Sequence, residues 1–242
     1  YYTITTLLGG FNMEIKSIIN ETSDELFYEL EHHLLYDKKP SIYLMETFLN
    51  SNNDTCYNLI NTLCNLKKVK KNSMLDNEED ALTHTLYVID QAAKYKDLAH
   101  NKKAFMFAAL LHDIGKTKTT VLNSDDNIIY IYPHHDLVGG EMARRILRTY
   151  INNMTLRDNI VSLIKYHMTH FYILNRIKTN EVLNMIENTD IHDVALLSLC
   201  DRLGEKNLSK EDKKTILNDI NKFLNIMSSK TGLHYDNFSI NF

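Results

Sequence analysis

Apolar residues recur at three- and four-residue intervals along most of the chain, and only two prolines, Pro40 and Pro133, interrupt them. That spacing lines one face of an α-helix, so the pattern predicts an all-α, mostly helical protein. A first helix carries Leu26, Phe27, Leu30 and Leu34 on one face, with Ser23 or Asp24 as its cap. A second starts at Ser41 after Pro40 and carries Ile42, Met45, Phe48 and Leu49. A third follows Asp54 with Leu59, Ile60, Leu63 and Leu66, and it ends in the basic run Lys67-Lys68-Val69-Lys70-Lys71. No aromatic residue interleaves with those lysines, so the run reads as a solvated helix end and linker rather than a nucleic-acid patch.

Beyond an acidic hinge at Asp76-Asn77-Glu78-Glu79-Asp80, longer and more apolar helices are predicted over about 81–96, 102–114, 136–150, 155–168, 191–203 and 209–228. Between residues 117 and 132 the pattern changes to two short β-runs around Ser124-Asp125-Asp126-Asn127, a small hairpin inserted between helices. Residues 1–12 precede Met13 and are set aside as a leader segment. The remaining organisation is an N-terminal helical segment at 13–71, a main helical domain at 72–230 and a C-terminal tail at 231–242.

Composition narrows the function classes. A chain of 242 residues is long enough to bury a substantial core, and a formal charge of −4 lacks the basic excess that grips a phosphate backbone. Nucleic acid is therefore not favoured as a partner. Three cysteines, Cys56, Cys64 and Cys200, are too few and too scattered for a disulfide framework or a zinc ribbon, which predicts free thiols in a reducing compartment. No run of about 18 apolar residues is present, and the opening lacks the zones of a signal peptide, so a cytoplasmic location away from membranes is expected.

The stretch Ala108-Ala109-Leu110-Leu111-His112-Asp113-Ile114-Gly115-Lys116 places titratable groups directly after four apolar residues, and His-Asp recurs at His135-Asp136 and His192-Asp193. Helical spacing separates these occurrences. His84 shares a face with Ala81, Val88 and Ala92, and His112 follows Phe105, Ala108 and Ala109. His167 continues the row Ile160, Leu163 and Ile164, while Asp201 continues Val194 and Leu197. A lone buried histidine is ordinarily satisfied by a backbone carbonyl. Several imidazoles and carboxylates buried together are costly unless they pair or bind a metal.

With these residues the chain resembles the HD-domain superfamily of metal-dependent phosphohydrolases, in its HDIG form. The motif residues are His84 in "LTHTLYVIDQAA", His112-Asp113 in "FAALLHDIGK", His135 in "HHDLVGGEMA", His167 in "LIKYHM" and Asp201 in "LLSLCDRLG". The resemblance covers roughly residues 75–205. It is similar to the HD domain attached to some CCA-adding tRNA nucleotidyltransferases and to stand-alone clostridial-type HDIG proteins, although no nucleotidyltransferase domain is evident here. The resemblance implies an HD-type helical domain in which His84, His112, Asp113 and Asp201 hold one ion, and Asp113 bridges to a second held by His135 and His167. Imidazole and carboxylate ligands without thiolate suit one or two divalent ions such as Fe, Mn, Ni, Co or Zn.

The implied reaction is hydrolysis of a small phosphorylated substrate by a metal-activated water, with Asp113 and Lys116 as the catalytic residues. The substrate would be a phosphomonoester, a nucleotide or a cyclic phosphodiester. Lys116 has two readings, a point charge for a phosphate or a solvated lysine near a helix end. Dinucleoside polyphosphate hydrolysis and a non-catalytic nucleotide-binding sensor are the alternative functions. Asp136 is expected to cap the following helix, with Glu141 in an early turn, and His192-Asp193 to serve a helix start. His32, His33, His100, His134 and His170 are expected at the surface. Cys200 is expected to be a small core residue, and Arg202 either a substrate contact or one half of a salt bridge.

Overall fold

The structure, a computed structural model, describes residues 25–51, 54, 56–70, 80–123, 129–177 and 181–242. The anticipated leader, the cap at Ser23 or Asp24, the acidic stretch before Asp80 and the hairpin turn at 124–127 lie outside those residues. Helices dominate. Helix α1 spans 25–36 and is followed by α2 (Pro40–Glu46) and α3 (Tyr57–Asn65). The main body comprises α4 (Ala81–Tyr95), α5 (Lys102–Leu111), the short α6 (Lys116–Thr119), α7 (His135–Leu147) and α8 (Met154–Tyr166). Then come α9 (Thr169–Leu174), α10 (Glu181–Asn188), α11 (Ile191–Leu203) and α12 (Lys210–Thr231). Strands β1 (Val121–Asn123) and β2 (Ile129–Ile131) pair antiparallel between α6 and α7, with Leu122 opposite Tyr130. No helix among the described residues is long and apolar enough to cross a membrane.

Short polar residues start the long helices by accepting orphan backbone N–H groups. Asp80 accepts from Thr83, Asn101 from Ala104, Asn153 from Leu156 and Asp190 from Asp193. Ser209 and Asp212 form a reciprocal capping box on α12.

Helix α5 is central. Every residue from Ala104 to Leu111 is buried, because α4, α8 and α11 pack around it. This explains the uninterrupted apolar run before His112. Helix α11, equally buried, lies against α4, α5 and α12, and α7 packs on α8.

One expectation changes at the second helix. The second helix starts at Pro40, whose missing N–H is harmless at the first helical position, and buries Tyr43 and Leu44. Ile42 and Met45 are instead 52% and 40% exposed, because the buried face of α2 is the one that carries Tyr43 and Leu44; a 3₁₀ turn after Glu46 then carries Phe48 inward. The N-terminal helices also share the core of the main body. Phe27 stacks on Phe107 and Tyr150, with centroids 5.4 and 4.7 Å apart. Helices α9 and α10, only six and eight residues long, fall outside the anticipated spans.

The His192-Asp193 doublet ties two helices together. Buried Asp193 accepts N–H bonds from His100 at 2.8 Å and Asn101 at 3.0 Å, so a carboxylate on α11 holds the start of α5. Burial opposes ionisation, but His192 and those two N–H groups outweigh it and keep the carboxyl below its ordinary range. A depressed folded pKa contributes stability above the unfolded value of about 3.9 and loses it as pH falls through the folded value. Asp193→Ala should therefore cost about 1–2 kcal/mol at neutral pH, since it removes the acceptor of two part-buried N–H donors. Urea melts at pH 7 and in acid should show that difference shrinking as the wild-type carboxyl protonates.

Candidate metal centre

Five helices deliver the candidate ligands. His84 lies within α4, and His112 caps the C-terminus of α5 with Asp113 next in the turn. His135 opens α7, His167 caps the C-terminus of α8, and Asp201 sits in the last turn of α11. The six side chains gather inside the bundle in two groups joined by Asp113, with His112, His167 and Asp113 essentially inaccessible to solvent.

A shared local device orients three of the imidazoles. His112 Nδ1 donates to Ala109 O at 2.9 Å, His135 Nδ1 to Tyr132 O at 2.9 Å and His167 Nδ1 to Ile164 O at 2.7 Å. In α5 and α8 the acceptor belongs to the last turn, where helical carbonyls lack an intrahelical partner. The bond holds each ring and leaves Nε2 to face the centre. Ser198 Oγ, 2.7 Å from His167 O, braces the end of α8 from α11.

At the centre, the Nε2 atoms of His112 and His167 are buried without a hydrogen-bond partner. Each such orphan costs about 1–3 kcal/mol in the absence of a ligand. Asp113 divides its oxygens between two groups. Oδ2 lies 3.4 Å from His112 Nε2 and 4.0 Å from His84 Nε2, whereas Oδ1 lies 3.6 Å from His135 Nε2. Asp201 Oδ1 stands 2.8 Å from His84 Nε2 and 3.4 Å from His112 Nε2. His84, His112 and Asp113 thus form one cluster of metal-ligand spacing, and Asp113, His135 and His167 form another. Orphaned imidazole nitrogens facing carboxylates fit a divalent transition ion.

The electrostatics agree with that fit. Burial alone would raise the carboxyls of Asp113 and Asp201, but the surrounding positive groups, His112 foremost for Asp113, hold both well below the carboxylate range. Burial pulls His112 down, yet Asp113 and Asp201 override it and lift its pKa to about 10. His167, by contrast, is pushed down to about 3 by burial and by His135 and His112. A proton and a metal ion are therefore alternative occupants at His112.

Gly115 allows this corner to close. A Cβ there would lie 2.0 Å from His135 O and 2.6 Å from Gly139 N, so only glycine lets the turn after Asp113 press against the start of α7. Lys116 follows. Its Nζ lies 2.6 Å from Asp113 Oδ2 and 5.2 Å from the Tyr132 ring centre, so the lysine occupies the edge of the centre and is not freely solvated.

Several polar residues stand elsewhere than expected. His170 is not at the surface: it is 4% exposed and donates from Nδ1 to His167 O at 3.0 Å. Its signal was the three-residue interval from His167, which repeats the ring-to-carbonyl geometry. Asp136 is no cap, because α7 begins one residue earlier and His134 occupies the cap position; Asp136 is buried and accepts from the Leu137 N–H at 2.9 Å. Glu141 pairs across to Lys165 on α8. Cys200 is buried, and Arg202 pairs with Asp219 at 2.8 Å.

His100, Asp190, His192 and Asp193 form a further cluster with metal-like spacing. Its imidazoles stack face to face at 4.4 Å, so their in-plane lone pairs run parallel and do not converge on one ion. Its carboxylates are also engaged with backbone N–H groups. These contacts account for the cluster without a ligand.

Comparison with known proteins agrees with the geometry. The HD domain family matches residues 81–218, more than half of the chain, and the chain belongs to that family, a superfamily of metal-dependent phosphohydrolases. It is also similar to the Multifunctional CCA protein of Actinobacillus pleuropneumoniae serotype 5b (strain L20) and of serotype 7 (strain AP76). Each is 30% identical over 114 residues, which cover 47% of this chain and 26% of the relative. The match thus spans about a quarter of those relatives' length.

Adding Mn to chelator-treated protein should raise the melting temperature by roughly 5–10 °C at a hundredfold excess over Kd. Apparent affinity should climb with pH through neutrality, because an ion bound at His112 displaces its proton. Calorimetry in buffers of different ionisation heat would measure that proton release; an unchanged melting curve would count against the centre. Gly115→Ala should lower stability by about 1–3 kcal/mol and weaken metal binding with it, as the new methyl displaces the His135 backbone.

Proposed function

We propose that this chain hydrolyses a small phosphoester, a phosphomonoester, nucleotide or cyclic phosphodiester, at a two-ion centre. His84, His112, Asp113 and Asp201 would hold one ion, and His135 and His167, with Asp113 bridging, the other. The observation that carries the reading is the division of Asp113: its two oxygens address separate imidazole groups, and each group contains a buried, unpartnered Nε2. Two bound divalent ions supply an acidified water and neutralise phosphoryl oxygens.

The remaining roles belong to the protein. The ring-to-carbonyl bonds keep the imidazoles in one orientation, so the centre is preorganised before substrate arrives. Lys116, only 12% exposed along its side chain and in contact with Asp113, offers a point charge to a phosphate at the edge of the centre. The buried walls of α5 and α8 exclude bulk water, which strengthens charge interactions inside.

A metal-dependent screen of phosphoesters and nucleotides tests the proposal. Asp113→Asn should abolish turnover and most metal retention. His135→Ala or His167→Ala should lower bound metal from about two ions per chain toward one and reduce hydrolysis sharply. His192→Ala, distant from the centre, should stay within a few fold. A wild-type protein that never exceeds one ion, with both histidine variants fully active, would refute the two-ion arrangement.

A further inference from the structure

Two cavities border Asp201, and they differ in charge. One, of about 360 Å³, is walled by the carboxylates of Glu205 and Asp212 as well as Arg202. The other, of about 510 Å³, runs between α9, α11 and α12 and is walled by His170, Phe171, Lys222 and the paired Arg202 and Asp219. Its volume falls within the range of small-molecule sites. Arg202 forms a wall of both, its Nη1 fixed by Asp219 at 2.8 Å. Lys222 has no ion-pair partner among the described residues. Phe171 is 44% exposed on the cavity wall beside apolar Met168 and Leu174, with Tyr172 set edge-on to it at 6.0 Å.

These features form a graded surface leading away from the metal centre. Asp201 belongs to the centre and to the cavity wall, so the cavity adjoins the centre at that carboxylate. A planar ring stacks on an exposed aromatic face whatever its hydrogen-bonding edge. A second anion is drawn to Lys222 and Arg202 and is repelled from the other cavity by Glu205 and Asp212.

We propose that the larger cavity receives the leaving group, and that this group is a nucleoside monophosphate whose base stacks on Phe171 and whose phosphate meets Lys222 and Arg202. The proposal rests on the hydrolytic reading of the adjoining centre and specifies a nucleoside diphosphate as substrate class. In that reaction the water oxygen bonds to the terminal phosphorus and the bond from that phosphorus to the bridging oxygen breaks. The products are inorganic phosphate and the nucleoside monophosphate, with one proton released to solvent. His170 Nδ1–H is committed to His167 O, so its other ring nitrogen offers the cavity an acceptor for a hydroxyl or amino group of the nucleoside.

The test uses the full, Mn-loaded chain. Binding of adenosine 5′-(α,β-methylene)diphosphate and of adenosine 5′-monophosphate is measured by calorimetry, alongside kcat/KM for adenosine diphosphate and for the monophosphate. Lys222→Gln should weaken binding of the methylene diphosphate and of the monophosphate about tenfold each, because both carry the phosphate that meets Lys222, as loss of one charge-assisted contact predicts. Phe171→Leu should also weaken both nucleotides about tenfold, and Lys222→Glu should exceed Lys222→Gln on both. Melting temperatures of the variants separate these effects from misfolding, since both side chains are exposed. Turnover of phosphoesters with nucleotide binding unchanged in all three variants would overturn the cavity assignment and leave the hydrolytic reading standing. Weakened binding in the variants of a protein that hydrolyses nothing would uphold the cavity as a nucleotide site and overturn the hydrolytic reading instead.

Discussion

The hydrogen bond from a histidine Nδ1 to the carbonyl three residues earlier recurs at His112, His135 and His167, and the candidate centre depends on it. A helix end has surplus carbonyls and a metal site needs rings held at fixed angles; one bond serves both needs. It ties the tautomer of a ring to the course of the backbone, so wherever α5 and α8 stop, an Nε2 is aimed inward. The consequence is a cost carried by the fold itself. Two of those nitrogens are buried with nothing to bond, and no rearrangement of a single rotamer relieves them without breaking the carbonyl contact.

Burying such a group requires a rigid surround, and the packing of α5 supplies it. A helix apolar on every side has no solvent-facing route by which to shift, and α4, α8 and α11 confine it. Gly115 then determines how closely the turn after Asp113 meets α7, and therefore how far His135 stands from the shared carboxylate. Asp193 plays the corresponding part at the other end of α5, fixing its first turn from α11. The two ends of one helix are thus pinned by different chemistry, a glycine contact and a buried carboxylate.

Charge is arranged in the same graded way around the centre. Two carboxylates lie among imidazoles in the interior, Lys116 stands at one edge, and two cavities adjoin Asp201, of which the smaller is the more acidic. Low accessibility strengthens the inner interactions, while Lys222 and Phe171 remain open to solvent where a ligand can reach them. The short helices α9 and α10, which carry no motif of their own, matter here because α9 forms the cavity wall opposite α12.

The all-α class, most of the long helices and the small β insertion were legible in the spacing of apolar residues, because a helical face must recur every three or four positions whatever it packs against. The inward row of His84, His112, His167 and Asp201 was legible for the same reason. What the spacing could not supply was each side chain's partner. His170 and His167 have similar local surroundings in sequence, yet only tertiary packing sends one to the centre and the other to a cavity wall. Asp193 looked like a local cap and instead holds a helix some ninety residues away in the chain. Ile42 and Met45 sat at helical spacing but face outward, because α2 buries Tyr43 and Leu44 instead. Periodicity is a property of one element and survives in one sequence; the partner of a buried polar atom depends on where other elements stop, and only the folded chain decides that.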